Sequence, residues 1–162
     1  RMLSELTADP ERNRLIAADV AREAEAGSGT CLVLSDRRAH CETLRALLHF
    51  GHGVESALLT GEMSPEEREA AVARVRAGAV RVVVATGQLI GEGFDCPNLS
   101  TLFLATPVRF SGRLIQYLGR ILRPAPGKEK ARVFDYVDPR VEALHKAALA
   151  RQRLYRRLWA AS

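Results

Sequence analysis

The chain reads as an α/β protein: three layers, α/β/α, around a mainly parallel central sheet. Two observations predict this. Short, strongly apolar, β-branched runs alternate with longer amphipathic segments, and the links between them are short. The run Val80–Ala85 is, Arg81 apart, apolar on both faces, as a strand covered on both sides must be. A length of 162 residues suits one domain of ordinary size, and 47% hydrophobic with 27% charged residues is normal for a globular chain.

Taken in order, the segment from Glu11 to Glu25 predicts a helix, with Leu15, Ile16, Ala18 and Val20 available to a core. Gly27 to Gly29 breaks it. Cys31-Leu32-Val33-Leu34 is the first strand, and a helix follows through Cys41 to Phe50. Val54 to Leu59 is the second strand, leading to Thr60-Gly61. Ser64-Pro65-Glu66-Glu67 is a helix start: Ser64 caps, Pro65 takes the first helical position, and Glu67 closes a capping box. That helix is expected to end near Ala77-Gly78. Val80–Ala85, Thr101–Leu104 and Arg132–Val137 are further strands, and a closing helix is expected from about Pro139 toward Leu158. The expected organisation is a helical lead-in over 1–29, a core over 30–138 and a basic helix over 139–162. The opening Arg1-Met2 suggests a piece excised from a longer protein.

In parallel α/β sheets ligands gather beyond the carboxyl ends of the strands. The residues leaving the strands are Ser35-Asp36-Arg37, Thr60-Gly61, Thr86-Gly87-Gln88 and Thr106-Pro107, all small, polar or charged. One edge of the sheet therefore carries a hydrogen-bonding rim, although strand-to-helix turns are polar in general.

Two further segments carry chemistry. In Gln116-Tyr117-Leu118-Gly119-Arg120-Ile121-Leu122-Arg123-Pro124, residues Gln116, Arg120 and Arg123 fall at i, i+4 and i+7, one stripe of a helix. Leu114, Ile115, Leu118 and Leu122 form a separate apolar stripe. Two guanidiniums on one stripe suit phosphate oxygens; a solvated basic face is the bland alternative. The second segment runs from Ala85-Thr86 through Gly91-Glu92-Gly93-Phe94-Asp95-Cys96-Pro97. Its glycines permit close backbone approach, and Asp95 can accept from a ribose hydroxyl or pair with an arginine. It is no dinucleotide fingerprint, because the third glycine is missing and Pro97 stands in the following turn.

Together these segments resemble the C-terminal RecA-like domain of superfamily 2 helicases and translocases over roughly residues 30–137. Gln116 to Arg123 resembles that family's motif VI, Ala85-Thr86 through Pro97 its motif V, and Leu32 to Arg37 its motif IV. The resemblance implies the second motor domain of an ATP-dependent helicase, a RecA-like fold without the P-loop. Arg120 and Arg123 would act on the γ-phosphate, Arg123 as the arginine finger. Gln116, Gly93 and Asp95 would serve the ATP site. Ser35, Arg37, Gly61, Thr86 and Gln88 would hold the nucleic-acid backbone. No G-x-x-x-x-G-K-[ST] and no adjacent Asp-Glu pair occurs. ATP and Mg2+ would thus be held mainly by a preceding RecA-like domain, and the chain alone is expected to be inactive.

The Gly-Phe-Asp-Cys-Pro form looks more like DNA motors than RNA helicases, so DNA is favoured as partner. Two other readings stay open: a nucleic-acid-binding module without ATP, and an α/β domain for a small phosphorylated ligand. Aromatic content of 6% offers few stacking platforms to the first. The second leaves Arg120 and Arg123 without a purpose. The net charge of +5 fits a polyanionic partner. No metal site is expected: the three cysteines lack a CxxC pair, and His40, His49, His52 and His145 lack ligand spacing. With no apolar run of about 18 residues there is no membrane-spanning helix, and a cytoplasmic, bacterial-type protein is expected, with nucleoid-associated activity possible.

Overall fold

The computed structural model describes residues 6–27, 29–87, 98–106 and 132–136. Helix α1 spans Pro10–Ala26. The Asp9 side chain accepts from the amides of Glu11 and Arg12, and Pro10 occupies the first turn. Strand β1 is Thr30–Ser35 and helix α2 is Arg38–His52. Helix α2 begins before the predicted Cys41 because its N-cap, Arg37, makes no side-chain cap bond and leaves no local start signal. Its end is set by Gly53, left-handed at φ 66°.

Strand β2 is Ser56–Leu59, shorter than the predicted run from Val54. The Val54 amide instead donates to Leu48 O at 2.9 Å, closing the end of α2, so Val54 is spent on the helix terminus. Helix α3, Pro65–Arg76, carries the predicted capping box in full: Glu67 N donates to Ser64 Oγ, and Ser64 N donates to the Glu67 carboxylate. Strands β3, β4 and β5 are Val82–Thr86, Leu99–Leu104 and Arg132–Asp135. The expected closing helix lies outside the described residues.

The five strands order as β2-β3-β1-β4-β5, and every pairing is parallel. Helices cover both faces. On one, α3 contributes Val75, with Ala71 and Val72 at its margin, over Leu32, Leu34, Leu59, Val83, Leu102 and Leu104. On the other, α1 contributes Ile16, Ala17, Val20, Ala21 and Ala24, and α2 contributes Cys41, Leu44 and Leu48, over Val33, Val82, Val84 and Phe103. Alternate residues of β1 therefore enter opposite cores, which is why the strand is apolar at nearly every position. Each large side chain buried here stabilises the fold by about 1.5–3 kcal/mol through the hydrophobic effect.

Phe103 and Phe134 stack with centroids 4.7 Å apart, tying β4 to β5. Helix α1 is tied to the same edge: Arg132 pairs with Glu23, and Tyr136 Oη donates to Asp19 at 3.0 Å.

Candidate functional site

Because all five strands run parallel, their carboxyl ends lie along one edge of the sheet. The register pairs Ser35 with Thr86 and Leu59 with Ala85, so Thr60 and Thr86 leave neighbouring strands one step beyond a matched pair. Ser35, Arg37, Gly61 and Thr86 are thereby gathered on the exits of three adjacent strands, β2, β3 and β1. Gln88, Gly93, Asp95, Gln116, Arg120 and Arg123 lie outside the described residues.

The rim is tightly knit. The Gly87 amide donates to Ser35 O at 3.3 Å, and the Asp36 amide donates to Thr106 Oγ1 at 3.0 Å. A Cβ on Gly87 would stand 2.7 Å from Asp36 Oδ1, the end of an exposed side chain, so a larger residue here would turn that carboxylate aside. Asp36 is exposed, yet its neighbours displace enough water to raise its carboxyl above the usual range. Arg38 reaches across to Glu62 at 2.7 Å and to Glu42 at 3.7 Å, bridging the β1–α2 and β2–α3 turns. Below the rim, the Cys41 thiol faces Ala85 O at 3.6 Å, and burial pushes its pKa up to about 12, so it stays an inert thiol.

The side chains differ in what they offer. Arg37 is exposed. Thr86 is half-buried and Thr60 is buried, and among the described residues neither hydroxyl has a hydrogen-bond partner. A buried hydroxyl left without a partner costs about 1–3 kcal/mol, and both of these oxygens lie beneath the rim rather than on its outer face.

Ser35, expected at a phosphate, is 0% exposed. Its hydroxyl is engaged with His40 Nδ1 at 2.9 Å and accepts from the Arg37 amide at 3.2 Å. His40 Nε2 in turn lies 2.7 Å from Asn13 Oδ1, and Asn13 Nδ2 donates to Thr7 O at 2.9 Å. Both His40 and Asn13 are buried. Burial, with Arg12 nearby, lowers the His40 pKa from 6.5 to about 4, so the ring is neutral near pH 7.

Sequence reasoning placed Thr60 and Thr106 on the rim without a role, and it missed the buried network of Asn13, His40 and Ser35. The spacing of Ser35 and His40 across a strand-to-helix turn was the one available signal; Asn13 is too distant in sequence to announce itself. Among the described residues no three His, Cys, Asp or Glu side chains are grouped to hold a metal ion, and no helix is long and apolar enough to cross a membrane.

Comparison with known proteins addresses the same fold. The Saccharomyces cerevisiae protein IRC3 is 26% identical over 136 residues, covering 83% of this chain and 19% of that one. The pre-mRNA-splicing ATP-dependent RNA helicase prp28 of Sclerotinia sclerotiorum is 40% identical over 70 residues, covering 43% of this chain and 8% of that one. The chain therefore spans about a fifth or less of the length of these curated relatives. Among solved structures, the Escherichia coli DEAD-box protein SrmB superposes with a TM-score of 0.66 at 25% identity, covering 84% of this chain and 76% of that one. T4 UvsW superposes with a TM-score of 0.68 at 20% identity, covering 97% of this chain and 34% of that one, a likeness of fold. The model of the helicase conserved C-terminal domain matches residues 12–125, and the chain belongs to that family.

Proposed function

We propose that the chain is the second motor domain of an ATP-dependent superfamily 2 helicase or translocase, and that it works only in company with a preceding RecA-like domain. In this reading ATP and Mg2+ are bound mainly by that other domain. Arg123 is the arginine finger, Arg120 reaches the same γ-phosphate, and Gln116, Gly93 and Asp95 complete the nucleotide side. Nucleotide-driven closure of the two domains alters the grip on the strand.

The observation that carries the nucleic-acid half is the gathering of Gly61, Thr86 and the exposed Arg37 on neighbouring strand exits at one edge of a parallel sheet. Hydroxyls, backbone amides and arginine recognise phosphates, which repeat along any strand and carry no base identity. Binding is accordingly independent of sequence and weakened by salt. Gly61, Thr86, Arg37 and Gln88 are the direct contacts, and Ser35 acts from behind them. We place DNA ahead of RNA on the Gly93-Phe94-Asp95-Cys96-Pro97 form, while prp28 is named an RNA helicase and a neighbouring Dbp5 structure is described as bound to RNA.

The test is ATPase turnover of the full-length parent, with and without single-stranded DNA or RNA. Arg123→Ala is expected to leave nucleotide and strand binding near normal and to lower turnover by about 10³–10⁵. Thr86→Val is expected to weaken strand binding and strand-stimulated turnover while the fold persists. Unchanged turnover in the first variant removes the finger role; a change in stability alone in the second makes Thr86 a packing residue.

A further inference from the structure

The buried network beneath the rim has a direction that the contacts themselves fix. Asn13 donates through Nδ2 to Thr7 O, so its Oδ1 is the atom presented to His40 and can only accept. His40 Nε2, 2.7 Å from that oxygen, must then carry the ring's proton. In a neutral imidazole the other nitrogen is an acceptor, so Nδ1 accepts from the Ser35 hydroxyl at 2.9 Å. Arg37 O also faces the Ser35 hydroxyl but at 3.5 Å, so the proton goes to the nearer Nδ1, and Ser35 Oγ accepts from the Arg37 amide at 3.2 Å. One chain of donors thus runs from Arg37 N–H through Ser35 and His40 to Asn13, and it joins helix α1 to the turn that carries the exposed Arg37 side chain.

We propose that His40, held by Asn13, is a positioning residue for the nucleic-acid track: through Ser35 it fixes the backbone at Arg37, and so fixes where the Arg37 guanidinium meets a phosphate. This deepens the reading above and rests on it. Three features support it. The Arg37 amide donates to Ser35 Oγ at a helix start that has no side-chain cap of its own, so Ser35 restrains the backbone there. Ser35 is fully buried and cannot itself be the outer contact. Two buried polar side chains from separate helices, with both His40 ring nitrogens and both Asn13 amide atoms paired, are an expensive arrangement unless a defined geometry is needed.

The relay separates two substitutions of nearly equal bulk. In His40→Asn the side-chain oxygen can stand where Nδ1 stood and keep the bond from Ser35. In His40→Gln the amide can keep the bond to Asn13 but supplies no acceptor at Nδ1. The full-length parent is assayed for single-stranded DNA and RNA affinity by fluorescence anisotropy, and amide hydrogen exchange is followed at Arg37. His40→Gln is expected to speed Arg37 exchange and weaken strand affinity about tenfold. His40→Asn is expected to stay within about threefold of wild type even where its melting temperature falls as far. Ser35→Ala should match His40→Gln, and the double variant should be no worse than either, because the two substitutions cut the same chain.

Arg37 exchange unchanged in His40→Gln overturns the relay. Faster exchange with unchanged affinity overturns its role in the track, as does equal loss of affinity in His40→Asn and His40→Gln. If the wild-type parent binds no strand, the nucleic-acid reading itself fails, and the exchange result still decides whether the relay exists.

Discussion

Acidification gives the most quantitative test of the interior of this domain. His40 is 2% exposed, and its pKa falls from 6.5 to about 4, first because burial strips water from the charged ring and second because the Arg12 guanidinium is close. The folded chain therefore binds this proton later than the unfolded chain does as pH falls. Between the two values the unfolded state holds more protons, so stability is complete above about pH 6.5 and drains away toward pH 4. A gap of about 2.5 pH, at about 1.36 kcal/mol for each, sets a ceiling of about 3.4 kcal/mol. About 2.5 kcal/mol of that is lost between pH 7 and pH 4.5.

The assay is urea unfolding of the chain at those two pH values, for the wild type and for His40→Gln. Carboxylates titrating over the same range contribute to both proteins and cancel in the difference. The wild type is expected to lose about 2.5 kcal/mol more than the variant. Parallel loss in the two proteins would mean that His40 titrates at its ordinary pH and is not held neutral by the surrounding structure.

Three other outcomes follow from the geometry. Phe103→Ala should destabilise the chain by about 3–5 kcal/mol, because it removes a fully buried ring and its stack on Phe134; chemical denaturation measures it. Ser64→Ala should cost about 1 kcal/mol through loss of the capping box at α3, read as a shift in unfolding midpoint at constant slope. Gly87→Ala should cost less than about 1 kcal/mol, because the exposed Asp36 carboxylate that its Cβ meets can turn aside, and chemical denaturation measures it; a loss of several kcal/mol would refute that freedom.

The ease with which each part was read follows the range of the physics behind it. The start of α3 was legible because capping is local: Ser64, Pro65 and Glu67 lie within four residues and satisfy one another. The start of α2 was not, because Arg37 caps nothing and its amide is satisfied by Ser35 within a longer relay. The second strand was read too long because Val54 is as apolar as the residues that follow it, and only the folded helix end claims its amide. For the site, the rim at Ser35, Arg37, Gly61 and Thr86 was readable from the rule that parallel strands deliver their exits to one edge. That Ser35 is buried while Arg37 is exposed was not, since two polar residues on either side of Asp36 carry no mark of which faces inward.

What the sequence determined alone was the alternation of apolar runs and helices and the polar character of the strand exits. These are set by periodicity and by residue chemistry over a few positions. The tertiary structure decided the strand order β2-β3-β1-β4-β5, the placing of Thr60 and Thr86 on neighbouring strand exits, and the bond from His40 to Asn13, 27 residues away. Such contacts depend on how whole elements stack, and the free energy that selects them comes from burying both faces of the sheet at once rather than from any one stretch of chain.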